Sequence, residues 1–526
     1  MSNYTEGMTL EEQIGQTLMV GFRGLTATPE VIDLIQKYHI GNIILFSRNV
    51  GEAAQMRALT HSLQQAAREA GHTHPLLIAI DQENGIVQRL GEAATLFPGN
   101  MALGAIGSEE IAFKVALAAG RELKDLGINM NLAPVVDVNN NAANPVIGVR
   151  SFGQDAYLVA RLGSAMVQGY QDAGIIACLK HFPGHGDTSV DSHLALPAIP
   201  HTLERLNALE LVPFKSGIEA GATSIMTAHV CFPALTPNAV LPATLSSALL
   251  QGLLREQLGF QGVIVSDCLE MRAILDIFGT EKAAVMTLQA GSDLVLVSHH
   301  YALQRGSFEA IKDAVQAGTL SPLVVKLAAE RILALKVRYL AENVAPAYID
   351  YAAHVKLQER AYELSTTLVR NDDALLPLHL EAEDNIIIVS PPRASISMVE
   401  DRYYSDEMLL EIIQHYHSNV TLLAIAPEDN YQEVLQETQA SALFLVATVN
   451  AHLDEKQADI VRFLVASGRR VIGIAVRNPY DLSVYPQLRT YLVTYEYTRP
   501  ALLAAARVLF GERQALGHLP VSLNLV

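Results

Sequence analysis

Only three cysteines occur in the 526 residues, Cys178, Cys231 and Cys268. An odd and widely spaced set, each in an apolar or strand-like context, makes no disulfide framework and suits reduced thiols packed as small core residues. Basic residues are in the minority, 37 Lys and Arg against 55 Asp and Glu for a formal net charge of -18, and no run of five or more basic residues is present. That balance offers no broad attraction to phosphate backbones or anionic lipid, which argues against nucleic acid and membrane surfaces as partners. Long apolar runs are missing as well. A spanning helix needs about twenty apolar residues, whereas rich windows such as 261–268 are interrupted within roughly eight. Solenoid-period repeats and low-complexity tracts are absent too. Met1 to Gly7 has neither a basic n-region nor an apolar h-region, and Thr9-Leu-Glu-Glu12 reads as a capping box opening a helix. A cytoplasmic location is the expectation.

What is present is alternation. At this length two domains are expected. Through the first ~340 residues, short β-branched runs alternate with longer amphipathic stretches, the pattern of βα units around a parallel sheet. Strands are expected at 16–22, 42–46, 76–81, 128–133, 175–180, 223–228, 262–267 and 293–297, with helices such as 109–125 and 243–258 between them. Eight such units in a span near the ~250 residues typical of the fold point to a (β/α)8 barrel over residues 1–342, with a doubly wound sheet as the competing architecture. A helix at 322–340 leads into a linker at 343–360. Five further strands, at 386–390, 420–425, 442–447, 471–476 and 490–495, give an open α/β sandwich over 361–526.

Barrel enzymes carry their sites at the C-terminal ends of the strands, so polar residues that close apolar runs acquire weight. Asp81 and Glu83 follow the third run, Asp137 the fourth, Lys180 and His181 the fifth, His229 the sixth, and Ser266-Asp267 the seventh. Each alone reads equally well as a helix cap or a solvated loop residue; their recurrence at equivalent ends is harder to dismiss. The loop 180–193, KHFPGHGDTSVDSH, packs three histidines and two aspartates among two glycines and a proline. One reading is metal ligation by His181, His185 and His193 with Asp187 or Asp191. The other pairs Asp191 with His193: a carboxylate two residues away fixes the tautomer through one ring nitrogen and frees the other for proton transfer. His185, between two glycines, reads as a residue that shapes the loop.

These residues resemble the β-N-acetylglucosaminidases of glycoside hydrolase family 3. KHFPGHGDTSVDSH followed by LALP is similar to their signature loop, whose Asp and His form an acid/base dyad, here Asp191 and His193. GFQGVIVSDCLEM at 259–271 resembles their nucleophile strand, which makes Asp267 the nucleophile. IDQENGIVQRL at 80–90 and NPVIGVRSFG at 144–153 are similar to the sugar-binding segments and imply Asp81 and Arg150 as substrate ligands, with Lys180 and His181 matching the Lys-His pair. AYELSTTLVRNDDALLPL at 361–378 and VLFGERQALGHLPVSL at 508–523 resemble the family's C-terminal sandwich, so the likeness covers nearly the whole chain. Two positions depart from the pattern. Asn84 stands where Gly is usual, and Cys268 replaces a second Asp beside Asp267, removing a like charge.

The resemblance implies a retaining exo-β-N-acetylglucosaminidase acting on a small carbohydrate, with cell-wall muropeptides in peptidoglycan recycling, chitin oligosaccharides and glycoconjugates as candidate substrates, and with no cofactor or metal. Histidine, whose ordinary pKa is about 6.5, suits an acid that turns base within one cycle. The same residues also permit a phosphorylase, because a neutral histidine repels phosphate less than a carboxylate does. A metal-dependent barrel hydrolase and an inactive carbohydrate-binding barrel are the alternatives from other classes.

Overall fold

The structure is a computed structural model, and residues 4–236, 241–340, 348–390, 400–401, 405, 407–426 and 428–523 are described. Eight parallel strands close a barrel: β1 (Leu18–Val20), β2 (Asn42–Leu45), β3 (Leu77–Ile80), β4 (Met130–Asn131), β5 (Ile176–Phe182), β6 (Ser224–Thr227), β7 (Val263–Cys268) and β8 (Leu294–Val297). Their order around the barrel is their order in the chain, β8 pairing with β1. Both faces of these strands are buried, which is why they read as unbroken apolar runs rather than as alternating ones.

The pleat sorts the side chains. Met19, Ile44, Leu77, Ala79, Ile176, Cys178, Val263 and Val265 belong to the core inside the barrel. Leu18, Val20, Ile43, Leu45, Ile78, Ile80, Ala177, Leu179 and Ile264 pack outward against the helices. Because the side-chain period is two, the inward set continues from 77 and 79 to Asp81, from 176 and 178 to Lys180, and from 263 and 265 to Asp267. One parity rule therefore carries the apolar filling of the barrel and delivers three charged groups to its C-terminal mouth.

The helices follow local signals. Thr9 and Glu12 form the reciprocal capping box, with Glu12 N–H donating to Thr9 Oγ1 at 3.2 Å and Thr9 N–H donating to Glu12 Oε2 at 2.7 Å. Helices occupy Glu109–Asp125 and Pro322–Leu340. The stretch expected as one helix at 243–258 divides into a 3-10 turn, Ala243–Leu245, and a π-helical segment, Ala248–Gln257. The break falls at Ser246, whose backbone is extended at φ -107°, ψ 106°. No helix among the described residues is long and apolar enough to cross a membrane. All three cysteines are free and buried.

The second sheet has six strands, not the five expected from the sequence: β9 (Thr367–Asn371), β10 (Ile386–Ser390), β11 (Val420–Ala424), β12 (Leu443–Thr448), β13 (Arg470–Ala475) and β14 (Thr490–Val493), ordered β9-β14-β13-β12-β10-β11. β9 is the additional one. It lies at an edge, antiparallel to β14 and mostly half-buried, so it has no apolar run to announce it. Of the linker expected at 343–360, residues 343–347 lie outside the described residues, and helix Tyr351–Ser365 begins within the remainder.

Sheet and barrel share an apolar core in which Ile86, Val87, Met101 and Val149 pack with Phe444, Val446, Tyr485 and Tyr495. At this junction Glu496 is 1% exposed. Its carboxyl accepts from Gly99 N–H at 3.1 Å and from Tyr362 O–H at 3.1 Å. Burial pushes its pKa up to about 7, and the hydrogen bonds offset only part of that. The folded chain thus keeps this proton at pH values where the unfolded chain, ionising near 4.5, has lost it. The stability contributed by Glu496 is full below about pH 4.5 and falls as pH rises to about 7, by roughly 3 kcal/mol at most. Glu496→Gln should therefore raise the thermal midpoint at pH 8 and not at pH 4, read by calorimetry. An equal change at both pH values would mean that the glutamate's charge is not the cause.

Candidate active site

A cavity of about 360 Å³ opens at the C-terminal mouth of the barrel. Asp81, Arg150, Lys180, His181, His193 and Asp267 all line it, together with Glu83, Arg48, Phe46 and His299. Asp191 stands behind His193.

Two carboxylates and two cations form the floor on the β3 side. Lys180 Nζ donates to Asp81 Oδ1 and lies equally close to Glu83 Oε1, both at 2.7 Å. Arg150 grips Glu83 in a fork, Nε to Oε2 and Nη2 to Oε1, both at 2.8 Å. Burial alone would raise the Glu83 pKa, but Arg150 and Lys180 overcome it and hold the carboxyl far below the usual range. Glu83 is 3% exposed and Lys180 2%. Such a buried cluster is tolerable because its charges cancel and both oxygens of Glu83 are hydrogen-bonded. Asp81 Oδ2 has no partner among the described residues. The chain turns sharply beyond Asp81, with Asn84 at φ +69° and Gly85 at φ +64°. Asn is among the few side chains that accept this left-handed conformation, so the turn survives where Gly is the family's usual residue.

The loop after β5 distributes its histidines to different tasks. His181 Nδ1 pairs with Asp137 Oδ2 at 2.7 Å, and Asp137 also accepts His185 N–H at 2.7 Å. His185 is buried with both ring nitrogens occupied, Nδ1 by Thr188 Oγ1 and Nε2 by Ser192 Oγ, each at 3.0 Å. Burial and the neighbouring His181 bring its pKa down to about 4, so the ring is neutral and serves the shape of the loop. Asp187 pairs with His201 at 2.7 Å. Among the described residues, no three His, Cys, Asp or Glu side chains converge as a metal-ligand set, and these contacts show where the loop's donors are turned instead.

His193 differs from His185 and, like His181, has one ring nitrogen on a carboxylate. Asp191 Oδ1 accepts its ring Nδ1 at 2.8 Å and its backbone N–H at 2.9 Å. Nδ1 therefore carries the proton that the carboxylate accepts, and Nε2 meets no partner among the described residues. The Asp191 carboxyl, which burial would raise, is lowered by its bond to His193.

Asp267 ends β7. Cys268 N–H donates to its Oδ1 at 2.7 Å, while Oδ2 has no partner among the described residues. Burial would raise its pKa, but the fields of His229, His181 and His193 and the Cys268 N–H outweigh that and lower it, so the group is a carboxylate at neutral pH. His229 braces it from behind, donating from Nε2 to the Cys268 carbonyl at 2.9 Å. Burial pushes the Cys268 thiol up to about 12, so it stays neutral beside Asp267. An ionised carboxylate and a carboxylate-oriented imidazole facing one cavity can together attack a carbon and protonate a departing oxygen.

Glu83 and Asp137 orient the other groups, and sequence reading stopped at their position beside strand ends. The cavity wall also includes Glu400 and Asp401 from the second domain. No motif or strand end marks those two.

Fold and cavity define a (β/α)8-barrel enzyme with a polar site at the C-terminal strand ends. The profile of the glycosyl hydrolase family 3 N-terminal domain matches residues 9–335. The chain is 34% identical to beta-hexosaminidase A of Pseudoalteromonas piscicida over 586 residues, 98% of this chain and 97% of that one. Among solved structures it is similar to a family 3 beta-N-acetylglucosaminidase from Paenibacillus sp., with a TM-score of 0.92 at 42% identity, covering 99% of this chain and 100% of that one. It is similar also to a fungal multi-domain family 3 beta-N-acetylglucosaminidase, with a TM-score of 0.92 at 42% identity, and spans 61% of that longer chain. The chain belongs to glycosyl hydrolase family 3.

Proposed function

We propose that the protein is a retaining exo-β-N-acetylglucosaminidase with Asp267 as nucleophile and His193, oriented by Asp191, as acid/base. The observation that carries this reading is the His193 ring, with Nδ1 tied to Asp191 and Nε2 bare, on the same cavity as the ionised Asp267. His181 has the same arrangement through Asp137, and the likeness of the 180–193 loop to the family's signature favours His193 for the proton transfer. In the first step an Asp267 oxygen attacks the anomeric carbon. The glycosidic C–O bond breaks, and the departing oxygen takes the His193 Nε2 proton. In the second step the neutral imidazole takes a proton from water, whose oxygen attacks the same carbon and displaces the Asp267 carboxylate. Two inversions restore the configuration.

Asp81, Arg150, Lys180 and His181 hold the sugar. Their charges, counted with Glu83 and Asp137, nearly cancel, which suits hydroxyl and amide groups rather than an ionic ligand. The names of the relatives support N-acetylglucosamine as that sugar, and terminal β-linked residues of cell-wall fragments or chitin oligosaccharides fit the reading.

Because the dyad and the nucleophile supply every proton and electron pair, hydrolysis of nitrophenyl β-N-acetylglucosaminide should survive exhaustive chelation. The product should remain free N-acetylglucosamine when inorganic phosphate is added. Activity lost on chelation and restored by zinc would contradict the dyad, and a sugar 1-phosphate product would make the protein a phosphorylase.

A further inference from the structure

Asn144 does not line the cavity, yet two of the loops that build the cavity meet on its side chain. It is 1% exposed. Its Oδ1 accepts the backbone N–H of Val146 at 2.9 Å and that of Ile147 at 2.8 Å. Its Nδ2 donates to the carbonyls of His185 and Gly186, both at 2.9 Å, and lies 3.3 Å from Thr188 Oγ1. A side-chain amide has two donors and accepts twice, and all four capacities are used here. The side chain therefore has one orientation, since a flipped amide would set its oxygen against two carbonyls.

Each pair of bonds leads to a group of the proposed mechanism. On one side, the turn that Oδ1 opens carries Arg150, whose N–H donates to the Ile147 carbonyl at 2.9 Å and whose Nη1 donates to the Val146 carbonyl at 3.1 Å. On the other, residues 185–188 begin the loop that ends in Asp191 and His193. The loop passes so near that a Cβ on Gly186 would stand 1.8 Å from the Val138 carbonyl oxygen. The second domain anchors the same segment: Asn139 Nδ2 donates to the Tyr480 hydroxyl at 2.8 Å, and His452 Nε2 lies 3.1 Å from the Ala142 carbonyl oxygen. Asn144 thus stands on a fixed base and holds the acid/base loop by its backbone, not by the His185 ring. We propose that Asn144 is a positioning residue that locks the loop of Asp191 and His193 to the turn of Arg150, so that the sugar grip and the proton donor keep one relative geometry. This rests on the proposed roles of His193 and Arg150. A misplacement of about 1 Å can cost a catalytic group roughly a hundredfold, and Asp267, on a barrel strand, does not share it.

Asn144→Asp tests it, since the carboxylate keeps an acceptor for Val146 and Ile147 but sets a second oxygen against the two loop carbonyls. kcat/KM for N,N′-diacetylchitobiose should fall at least about tenfold more than for nitrophenyl β-N-acetylglucosaminide. In a His193→Ala background the same change should leave the ratio of the two kcat/KM values within about twofold, because the donor it would misplace is gone. Asn144→Ala should show the same coupling. Equal losses on both substrates in a folded variant, or none, or a change in the ratio that persists without His193, overturn the proposal. Should neither variant fold, hydrogen exchange of the wild type decides: N-acetylglucosamine should slow the amides of Val146 and Ile147 together with those of 185–193, and slowing confined to 144–150 refutes the coupling. A wild type without activity on the nitrophenyl glycoside would instead overturn the proposed function itself.

Discussion

Asp267→Asn should reduce turnover of nitrophenyl β-N-acetylglucosaminide by at least about ten-thousandfold while the fold survives. The substitution keeps the shape of the side chain, and its amide oxygen can still accept the Cys268 N–H that now reaches Oδ1 at 2.7 Å. What it removes is the charge, which the surrounding histidines favour, and the lone pair that would form the glycosyl ester. Circular dichroism and the thermal midpoint check the fold, and a progress curve at high enzyme concentration checks turnover. The depressed pKa adds a pH signature. As pH falls, Asp267 should stay ionised to below the ordinary carboxylate value of about 3.9, so it should not set an acid limb on kcat/KM above that pH. Appreciable turnover by Asp267→Asn would place the nucleophile elsewhere.

His193→Ala should show a loss that depends on the leaving group. A nitrophenolate departs without help, whereas a sugar alkoxide needs the Nε2 proton. Because kcat/KM reports steps up to formation of the glycosyl-enzyme, it should fall by orders of magnitude more for a disaccharide than for a nitrophenyl glycoside. Turnover should drop for both, since the same imidazole activates water afterwards. Asp191→Ala should repeat the pattern in milder form: the ring remains but loses the 2.8 Å bond that sets its tautomer. His185→Ala should not, because both its ring nitrogens are held within the loop. A leaving-group-dependent loss in His185→Ala, with equal losses for both substrates in His193→Ala, would move the acid/base role to the middle of the loop.

The barrel was legible in the sequence because its strands are buried on both faces and so appear as short apolar runs ending in charge. The same pleat explains why Asp81, Lys180 and Asp267 could be picked out, each two positions beyond an inward apolar residue. The edge strand β9 was not legible, since a half-buried antiparallel strand carries neither an apolar run nor a clean alternation. Pairings were harder still. Glu83 meets Arg150 from 67 residues away and Asp137 meets His181 from 44, contacts that exist only once the barrel closes. Asp401 lies more than 300 residues from the backbone N–H of Gln88, and nothing in its own neighbourhood marks it as part of a cavity wall. Likeness to a family named the acid/base pair, while the structure supplied the reason to separate His193 from His185: one ring has a bare nitrogen and the other has none.

The central claim is that the glycosyl group passes through an ester on Asp267. A fluorinated N-acetylglucosaminyl fluoride that forms the ester and hydrolyses it slowly tests this directly, by intact-mass and peptide mass spectrometry of the inactivated enzyme. One sugar should be added per chain, on the peptide that carries Asp267, and the label should leave as activity returns. Labelling of Asp81, Glu83 or Asp137 instead, or inactivation with no covalent adduct, would contradict it.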